Sequence, residues 1–434
     1  GLRRRAPAGP ARVEAAEDAV LLPLVVVVGA GLAGLSCAVT LCRAGRAVSL
    51  YETAPQAGGR CRSYFDDTLG RRIDNGNHLL MSGNEAALAY LETIGAGETL
   101  TGPAQASFPF IDLERDERWV VRPGASPLPW WLLVRSRRVP RTRLRDYRSG
   151  LGLLFAGATD TVTDALDCDG TLYARFWEPL AVAALNCDPS IGAAALLRPV
   201  LLRTFGRGAA YCRPLVAAQG LSESFVDPAL TFITANGGRV RVGASLRAIN
   251  WKDDKPEALQ FDTETVTVAP RDKVVIATPP TSAQRLLPGL EAPEGATAIV
   301  NAHMRFDKAV DWPWEAPLVG LIGGTAQWMF HRDDVVSVTV SGADALAEKS
   351  ADDIAALLWC DVSQALGQDK ANPPVIRVIK EKRATFLQSP EQVSRRPGAC
   401  TRWPGVFLAG DWTDTGLPAT IEGAIVSGNQ AATA

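Results

Sequence analysis

The chain has 434 residues, of which 47% are hydrophobic and 21% are charged, and its formal net charge is −2. This length predicts two or three domains rather than one core, and a net charge near zero argues against a nucleic-acid partner. No run of eighteen apolar residues occurs, so no membrane-spanning helix is expected, and the eight scattered cysteines lack metal-ligand spacing and are typical of reduced thiols in a cytoplasmic protein.

Residues 1–20 predict no packed element. They combine three consecutive arginines with alanine, proline and glutamate, a composition typical of a disordered extension. A signal peptide needs a long apolar region before a cleavage site, whereas the apolar run that starts at Val20 continues into the next motif. We therefore expect a disordered extension here rather than a signal peptide.

A glycine-rich turn follows four consecutive valines. Val25 to Val28 are typical of a parallel strand buried on both faces, and the helix formers from Leu32 to Ala44 predict a helix. The first glycine permits the turn, the second lets the backbone approach a pyrophosphate, and the third lets the helix pack closely on the strand. Free amides at the helix start face the phosphates. The predicted nucleotide-binding residues are Gly29, Ala30, Gly31, Leu32, Ala33 and Gly34.

The next predicted strand ends in an acid, Glu52, twenty-three positions after Gly29. Its carboxylate can accept hydrogen bonds from a ribose 2′-hydroxyl and would repel a 2′-phosphate, which favours FAD or NAD over NADP. A glycine-rich turn without a nucleotide is the alternative. The preceding strand, the helix and the distal acid all favour the nucleotide.

Two loops follow this unit. Gly58, Gly59 and Arg60 predict a loop that wraps a phosphate or a sugar edge, with the arginine supplying charge-assisted hydrogen bonds. A solvated surface turn is the alternative for this segment taken alone. The second loop, residues 74–78, has the sequence Asp-Asn-Gly-Asn-His.

From about Phe108 to Val200 the composition becomes apolar. Trp130 and Trp131 precede seven arginines between residues 135 and 148. Such an amphipathic stretch predicts binding to an anionic membrane surface. An equally good alternative is a solvated basic face with both tryptophans in the core. A later apolar segment is expected to be helical after Pro179.

After residue 212 the pattern returns to alternating strands and helices. The predicted strands are Arg239 to Ile249, Lys273 to Ala277, Val335 to Val340 and Val375 to Ile379, and the predicted helices are one ending near Asn236 and one from Ala351 to Leu366.

The last motif is a short buried strand, Gly405 to Ala409, that leads into Gly410 and Asp411. A carboxylate at a strand end can accept hydrogen bonds from a polyol such as a ribityl chain. A glycine-bearing helix comes next, and its first amides, near Thr420 and Ile421, can face an electron-rich ring edge.

Together these segments resemble the flavin-dependent amine oxidase and phytoene desaturase superfamily. The resemblance rests on the glycine turn, Gly58-Gly59-Arg60, Val274 to Pro280 and Gly410-Asp411, and it spans Leu24 to Ala432. In that superfamily such segments together bind one FAD. The resemblance therefore implies that the cofactor is FAD rather than NAD.

The resemblance also implies contacts for particular residues. The backbone at Leu246 would meet the adenine, and Asp411 the ribityl chain or pyrophosphate. The loop residues Gly76, Asn77, His78 and Leu79 would lie next to the flavin ring.

Within the superfamily, four segments are most similar to the hydroxysqualene dehydroxylase family: residues 74–78, 176–179, 183–186 and 326–331. This resemblance implies an apolar isoprenoid substrate, hydroxysqualene, whose allylic hydroxyl is replaced by hydride from reduced flavin to give squalene in hopanoid biosynthesis. Delivery of such a substrate fits a peripheral protein on the inner face of the cytoplasmic membrane.

The implied reaction needs an acid, because hydroxide is a poor leaving group. His78 is the first candidate, since the resemblance places it beside the flavin ring. A structural histidine bonded to backbone is an equally good explanation of this residue. Glu178 and Tyr211 are weaker candidates, because each can simply hold local structure.

No second glycine fingerprint occurs, so no dedicated NADPH site is expected. Electrons are predicted to arrive from a separate reductase or from diffusing reduced flavin. One alternative function is a carotenoid or polyene desaturase, which moves hydride from substrate to FAD on the same fold. Another is a non-catalytic prenyl-lipid carrier, against which the intact Gly-Asp ending and Gly58-Gly59-Arg60 argue.

The expected fold class is α/β, with a discontinuous Rossmann-like FAD-binding domain and an interleaved α+β substrate domain. The predicted FAD-binding segments are residues 21–105, 213–285 and 391–434. The predicted substrate segments are residues 106–212, the apolar and membrane-facing part, and residues 286–390.

Overall fold

The computed structural model describes residues 23–434. The predicted extension at residues 1–20 lies outside these described residues. Two large sheets organise the chain, one of five parallel strands and one of seven mixed strands. The predicted α/β class is confirmed, while the exact domain boundaries stay predictions.

The five-stranded sheet is parallel throughout. Its central strand is buried from Val25 to Val28, which explains the run of valines, because both faces of a central parallel strand are covered. The strands come from distant parts of the chain, so the sheet is discontinuous in sequence. In spatial order they are Arg239–Val242, Ala47–Glu52, Leu24–Val28, Lys273–Ile276 and Val406–Leu408.

Two helices from opposite ends of the described chain pack together beside this sheet: Leu32–Arg43 and Ile421–Thr433. Their approach is close because a glycine, Gly428, faces the first helix. A Cβ there would lie 2.2 Å from the carbonyl oxygen of Ala33. The last helix is therefore fixed to the first strand–helix–strand unit.

The seven-stranded sheet has one apolar and one polar face. Ala302 and Val338, on neighbouring strands, share a buried core with the helix Ala351–Leu366. Residues that alternate with them, such as His303 and Ser337, point to the opposite face. In spatial order the strands are Val375–Thr385, Thr297–Arg305, Val335–Val340, Trp328–Arg332, Leu318–Ile322, Phe108–Asp112 and Glu117–Val121.

Smaller elements complete the described fold. The remaining strands are Ser63–Asp66 with Arg71–Asp74, then Leu246–Lys252, Lys255–Phe261 and Thr265–Thr267, and finally Leu80–Met81, Pro214–Ala217 and Leu100–Thr101. The remaining α-helices are Glu85–Thr93, Leu151–Phe155, Val162–Ala165, Glu178–Leu185, Ala194–Arg203, Asp227–Ala235, Pro280–Leu286, Asp344–Ala347 and Pro390–Ser394. Short 3₁₀ or π-helical turns are Gly97–Thr99, Trp130–Leu133, Arg135–Arg137, Leu144–Gly150, Tyr173–Trp177, Phe205–Arg207, Ala209–Tyr211 and Ser222–Val226.

The strand predicted from Arg239 to Ile249 is wrong, because two strands in different sheets occupy this region. The break has a physical cause. The amides of Gly243 and Ala244 donate hydrogen bonds to the carbonyl oxygens of Ala54 and Glu52. These bonds draw the chain across the end of the parallel sheet before the second strand begins.

Other elements agree more closely with the sequence. The helix predicted from Ala351 to Leu366 is confirmed at both ends. The strand predicted from Val375 to Ile379 exists but continues to Thr385, because it pairs along the whole of Thr297–Arg305.

The arginine-rich segment contains short 3₁₀ turns. Trp130 is 61% exposed, whereas Trp131 is half-buried and packs edge-on against Tyr147, with 6.5 Å between ring centroids. The alternative that buries both tryptophans in the core is therefore wrong for Trp130. Among residues 23–434, no helix is long and apolar enough to cross a membrane.

Candidate active site

The glycine-rich turn leaves open space and free amides at the start of the first helix. Gly29 has a φ of +107°, and a Cβ there would lie 2.4 Å from the carbonyl oxygen of Ala277, so only glycine fits. A Cβ on Gly31 would instead meet no atom within 4 Å. The first helical bond runs from the amide of Leu35 to the carbonyl of Gly31. The amides of Gly31, Ala33 and Gly34 have no acceptor among residues 23–434. This arrangement suits an anionic pyrophosphate.

Glu52 is held beside this turn by two backbone amides. Its Oε2 accepts a hydrogen bond from the Ala30 amide at 2.7 Å, and its Oε1 accepts one from the Ala54 amide at 2.8 Å. Its carbonyl accepts from Ala244, two residues before the strand that starts at Leu246. The carboxylate and the backbone at Leu246 therefore lie at the same end of the parallel sheet.

The loop with Gly58 and Gly59 lies directly against the first turn. The Gly58 amide donates to the carbonyl of Ala30 at 2.8 Å. A Cβ on Gly59 would lie 3.3 Å from the Cα of Gly31. The two glycine-rich loops thus form one continuous surface.

Arg60 joins this surface to the C-terminal Gly-Asp motif. Its Nη2 lies 2.8 Å from Oδ1 of Asp411, and its Nη1 donates to the carbonyl of Ala384. The Arg60 side chain is 43% exposed and that of Asp411 is 10% exposed, so part of the guanidinium remains accessible. The nearby carboxylate raises the pKa of Arg60, which keeps the guanidinium charged. The Gly410 amide donates to Ser427 Oγ at 2.9 Å and attaches the motif to the last helix.

The last helix also begins with free amides. Oγ1 of Thr420 accepts the amide of Gly423 at 3.1 Å, whereas the amides of Ile421 and Glu422 have no acceptor among residues 23–434. The buried Glu422 carboxylate accepts two backbone bonds at the start of the helix Glu85–Thr93 and has a raised pKa because of its burial. Its role in the fold is to cap that second helix.

The loop of residues 74–78 is bonded to the seven-stranded sheet. Oδ2 of Asp74 accepts from Arg332 at 2.8 Å. Nδ2 of Asn77 donates to Oγ1 of Thr339 at 3.0 Å, on the polar face of the sheet. A Cβ on Gly76 would lie 2.9 Å from the Asn301 amide nitrogen. The loop therefore connects the region of the two glycine-rich loops to the polar face of the seven-stranded sheet.

A pocket opens beside this loop, and all three histidines of the chain line it. His78 is half-buried, and burial lowers its pKa to about 4, so its ring is neutral at pH 7. Its ring makes no hydrogen bond to another described residue, which disfavours the explanation that it is bonded to backbone. His303 is 2% exposed, and burial lowers its pKa to about 4 as well. Leu79, the next loop residue after His78, is half-buried in the core formed by residues of the apolar middle segment.

The other two candidate acids lie elsewhere. Glu178 is exposed in the first turn of its helix. Tyr211 is half-buried under the guanidinium of Arg207, whose carbon lies 3.6 Å from the centroid of the ring. Neither residue lines the pocket that contains His78. The structure therefore does not bring these three candidates together.

His303 was not among the residues that the sequence singled out. A signal was present, because Asn301, His303 and Arg305 alternate with the apolar residues Ala302 and Met304. Such alternation marks a strand with one polar face. A polar face in a strand with a well-packed opposite face is a place to look for site residues.

Several known proteins are similar to this chain in sequence, and others are similar to it in fold. The flavin containing amine oxidoreductase family matches residues 32–434. The hydroxysqualene dehydroxylases of Rhodopseudomonas palustris and Sinorhizobium fredii are 46% and 44% identical to this chain, over 94% of this chain and 97% of each relative. This chain belongs to the flavin containing amine oxidoreductases, in the group of the hydroxysqualene dehydroxylases.

Family membership makes the chain a FAD-dependent oxidoreductase. The cyclohexylamine oxidase of Brevibacterium oxydans has the same fold, with a TM-score of 0.70 at 13% identity over 95% of this chain and 98% of that one. Phytoene desaturases are more distant in sequence than the dehydroxylases, at 22–23% identity.

Proposed function

We propose that this flavoenzyme converts hydroxysqualene to squalene by replacing the allylic hydroxyl with hydrogen. The observation that carries the proposal is the 46% identity to the hydroxysqualene dehydroxylase of Rhodopseudomonas palustris across 94% of this chain. The substrate would be a long apolar isoprenoid with one polar group. It therefore needs apolar walls and one local polar site.

The two glycine-rich loops, the Gly-Asp motif and the start of the last helix would hold FAD. The free amides of Gly31, Ala33 and Gly34 suit the pyrophosphate, and the fixed carboxylate of Glu52 suits a ribose hydroxyl. When bound and reduced, FAD supplies hydride to carbon. The proposed cofactor-binding residues are Gly29, Ala30, Gly31, Leu32, Ala33, Gly34, Glu52, Gly58, Gly59, Arg60, Gly76, Asn77, His78, Leu79, Leu246, Gly410, Asp411, Thr420 and Ile421.

His78 would assist departure of the hydroxyl, directly or through a water that it positions. Protonation of the oxygen lowers the barrier as positive charge develops on the allylic carbons. Burial lowers the pKa of His78 to about 4, so about one ring in a thousand carries the proton at pH 7, and that form would be a strong acid toward the hydroxyl. Glu178 and Tyr211 are weaker candidates, because neither lines the same pocket.

The protein would dock on an anionic membrane surface through the segment from Leu128 to Phe155. Six of the seven arginines in this segment are exposed, and Arg135 and Arg137 make no ion pair within residues 23–434. Exposed apolar side chains beside basic residues favour the interface of an anionic bilayer. The large exposed apolar residues here are Leu128, Trp130, Leu133, Val134, Leu144, Leu151 and Phe155. Such docking would place the enzyme on the inner face of the cytoplasmic membrane, where its substrate dissolves.

Electrons would come from a separate reductase or from free reduced flavin. The chain has only one glycine fingerprint of the dinucleotide-binding type, which leaves no dedicated site for NADPH. Rapid stoichiometric reduction of the bound flavin by NADPH alone, in a stopped-flow trace, would contradict this part of the proposal.

Product analysis separates this function from its alternatives. Anaerobic photoreduced enzyme is incubated with hydroxysqualene, and squalene is the expected product. A more unsaturated product made by the oxidised enzyme would favour a desaturase. Purified protein that neither contains nor takes up FAD would favour a lipid carrier.

A further inference from the structure

His303 has a buried ring nitrogen without a partner. The residue is 2% exposed on the strand Thr297–Arg305. Its Nδ1 lies 2.7 Å from Oγ of Ser337 on the neighbouring strand. Its Nε2 has no hydrogen-bond partner in the described chain. An unmet buried polar atom is costly, so such an atom in a pocket wall is expected to bond to a water or to a ligand that replaces it.

The charges of the same pocket are already paired. Asp74 accepts from Arg332 at 2.8 Å, and Arg72 forms an ion pair with Glu223. A charged ligand would have to compete with these pairs. The pocket therefore favours a ligand whose polar group is neutral.

Apolar side chains make up much of the remaining wall. Phe330, Val216 and Leu221 line the pocket together with the histidines. A ligand with one neutral polar group on a hydrocarbon body matches this surface better than a sugar or an amino acid. An allylic alcohol has this chemistry.

We propose that this pocket binds the hydroxyl group of the alcohol substrate, and that Nε2 of His303 is its hydrogen-bond partner. The inference rests on the proposed function, because it takes the substrate to be an isoprenoid alcohol. Ser337 fixes the ring through Nδ1, which leaves Nε2 as the ring atom that would meet the ligand. His78 lines the same pocket and meets the hydroxyl from the loop side.

Two substitutions separate this role from a structural one. The side-chain amide of glutamine reaches about as far as Nε2, whereas that of asparagine reaches only about as far as Nδ1. His303→Gln therefore keeps a polar group toward the pocket, while His303→Asn keeps the contact with Ser337 and empties the Nε2 position. If His303 binds the ligand, His303→Gln should resemble wild type more than His303→Asn does. If His303 only holds Ser337, His303→Asn should resemble wild type more.

The readout is binding to the oxidised enzyme, which cannot reduce the alcohol. Dissociation constants for hydroxysqualene and squalene are measured from changes in the flavin absorbance. Wild-type enzyme should prefer the alcohol by roughly threefold to tenfold, the range expected for one net hydrogen bond. His303→Asn should lose this preference and His303→Gln should retain most of it, with unchanged affinity for squalene in both.

The reverse ranking, or an unchanged preference in both variants, overturns this inference. Wild-type enzyme that neither binds nor converts hydroxysqualene contradicts the proposed function instead. If His303→Asn fails to fold with FAD, nitrogen NMR of histidine-labelled wild-type enzyme gives the answer, since the chain has only 3 histidines. The Nε2 resonance of His303, assigned with His303→Gln, should shift with hydroxysqualene and not with squalene, and an unmoved resonance overturns the inference.

Discussion

The guanidinium of Arg60 lies 2.8 Å from the carboxylate of Asp411, although 351 positions separate the two residues in the chain. This contact joins the loop after the first strand–helix–strand unit to the motif before the last helix. Both partners border the surface formed by the glycine-rich loops. The pair therefore completes the proposed cofactor site from the two ends of the described chain.

Arg60→Ala should weaken FAD binding by about tenfold or more, because a charge-assisted bond to the cofactor and the partner of Asp411 are lost together. Titration of apoprotein with FAD, followed by flavin fluorescence, measures the change. Arg395→Ala is the matched control, since Arg395 pairs with Glu294 at 2.9 Å on the surface. Equal dissociation constants for Arg60→Ala and wild type would remove Arg60 from the site.

Gly428→Val should destabilise the fold by about 1–3 kcal/mol or more, because overpacking forces two helices apart. A Cβ at this position would lie 2.0 Å from Ser36 Oγ and 2.2 Å from the Ala33 carbonyl oxygen. Gly398→Ala is the control, since a Cβ there meets nothing within 4 Å. Thermal unfolding compares the variants, and a midpoint for Gly428→Val equal to wild type would contradict the close packing.

Stability should fall on acidification partly because of His303. Its folded pKa of about 4 lies below the unfolded value near 6.5. Above pH 6.5 both states are neutral and the residue adds no pH dependence. As the pH falls from 6.5 to 4, the unfolded chain takes up a proton that the folded protein does not, so the free energy of unfolding drops by up to about 1.4 kcal/mol per pH unit.

His303→Gln should flatten this dependence between pH 6.5 and 4. Urea unfolding of the holoenzyme at several pH values measures it, with wild type and variant compared at each pH. If the free energy of unfolding falls equally with pH in the two proteins, His303 titrates normally in the fold.

The exposed apolar residues of the arginine-rich segment should decide membrane binding. Replacing Trp130 and Phe155 by serine should reduce co-sedimentation with phosphatidylglycerol-containing vesicles several-fold, since each large side chain buries apolar area in the bilayer. Phe65→Ser is the control, because Phe65 is also 61% exposed but lies on the strand Ser63–Asp66, outside the arginine-rich segment. Similar losses in both variants, or no binding by wild type, would contradict docking through this segment.

His78→Ala should lower single-turnover squalene formation by about a hundredfold, the lower range for loss of a proton-transfer group. The bound-flavin spectrum checks that the cofactor site is intact. His331→Ala is the control, because His331 lines the same pocket but stacks on Trp312, with 4.9 Å between ring centroids. Wild-type turnover in His78→Ala with normal FAD binding removes His78 from the chemistry.

Local chemistry explains which parts of the fold could be predicted from the sequence. The strand Leu24–Val28 and its glycine turn are short-range patterns with one structural solution, so the sequence alone indicated them. The helix Ala351–Leu366 was predicted at both ends because Ser350 caps its start and Gly367 follows its end.

Long-range contacts explain what could not be predicted. The strand break after Val242 depends on carbonyl groups of Glu52 and Ala54, nearly two hundred residues away. The environment of His303 likewise depends on Ser337 and on a loop near residue 78, and no local pattern encodes that meeting. Trp130 and Trp131 are adjacent in sequence, yet Trp131 alone packs against Tyr147 and the neighbouring core.

The most direct test of the central claim is a single turnover in D₂O. Anaerobic photoreduced enzyme, whose flavin then carries deuterium at N5, is mixed with hydroxysqualene, and the product is analysed by mass spectrometry. The proposed function predicts squalene with one deuterium at the carbon that held the hydroxyl, and one flavin oxidised per squalene formed. Squalene without deuterium at that carbon, or reduced flavin that persists while hydroxysqualene remains unchanged, would contradict it.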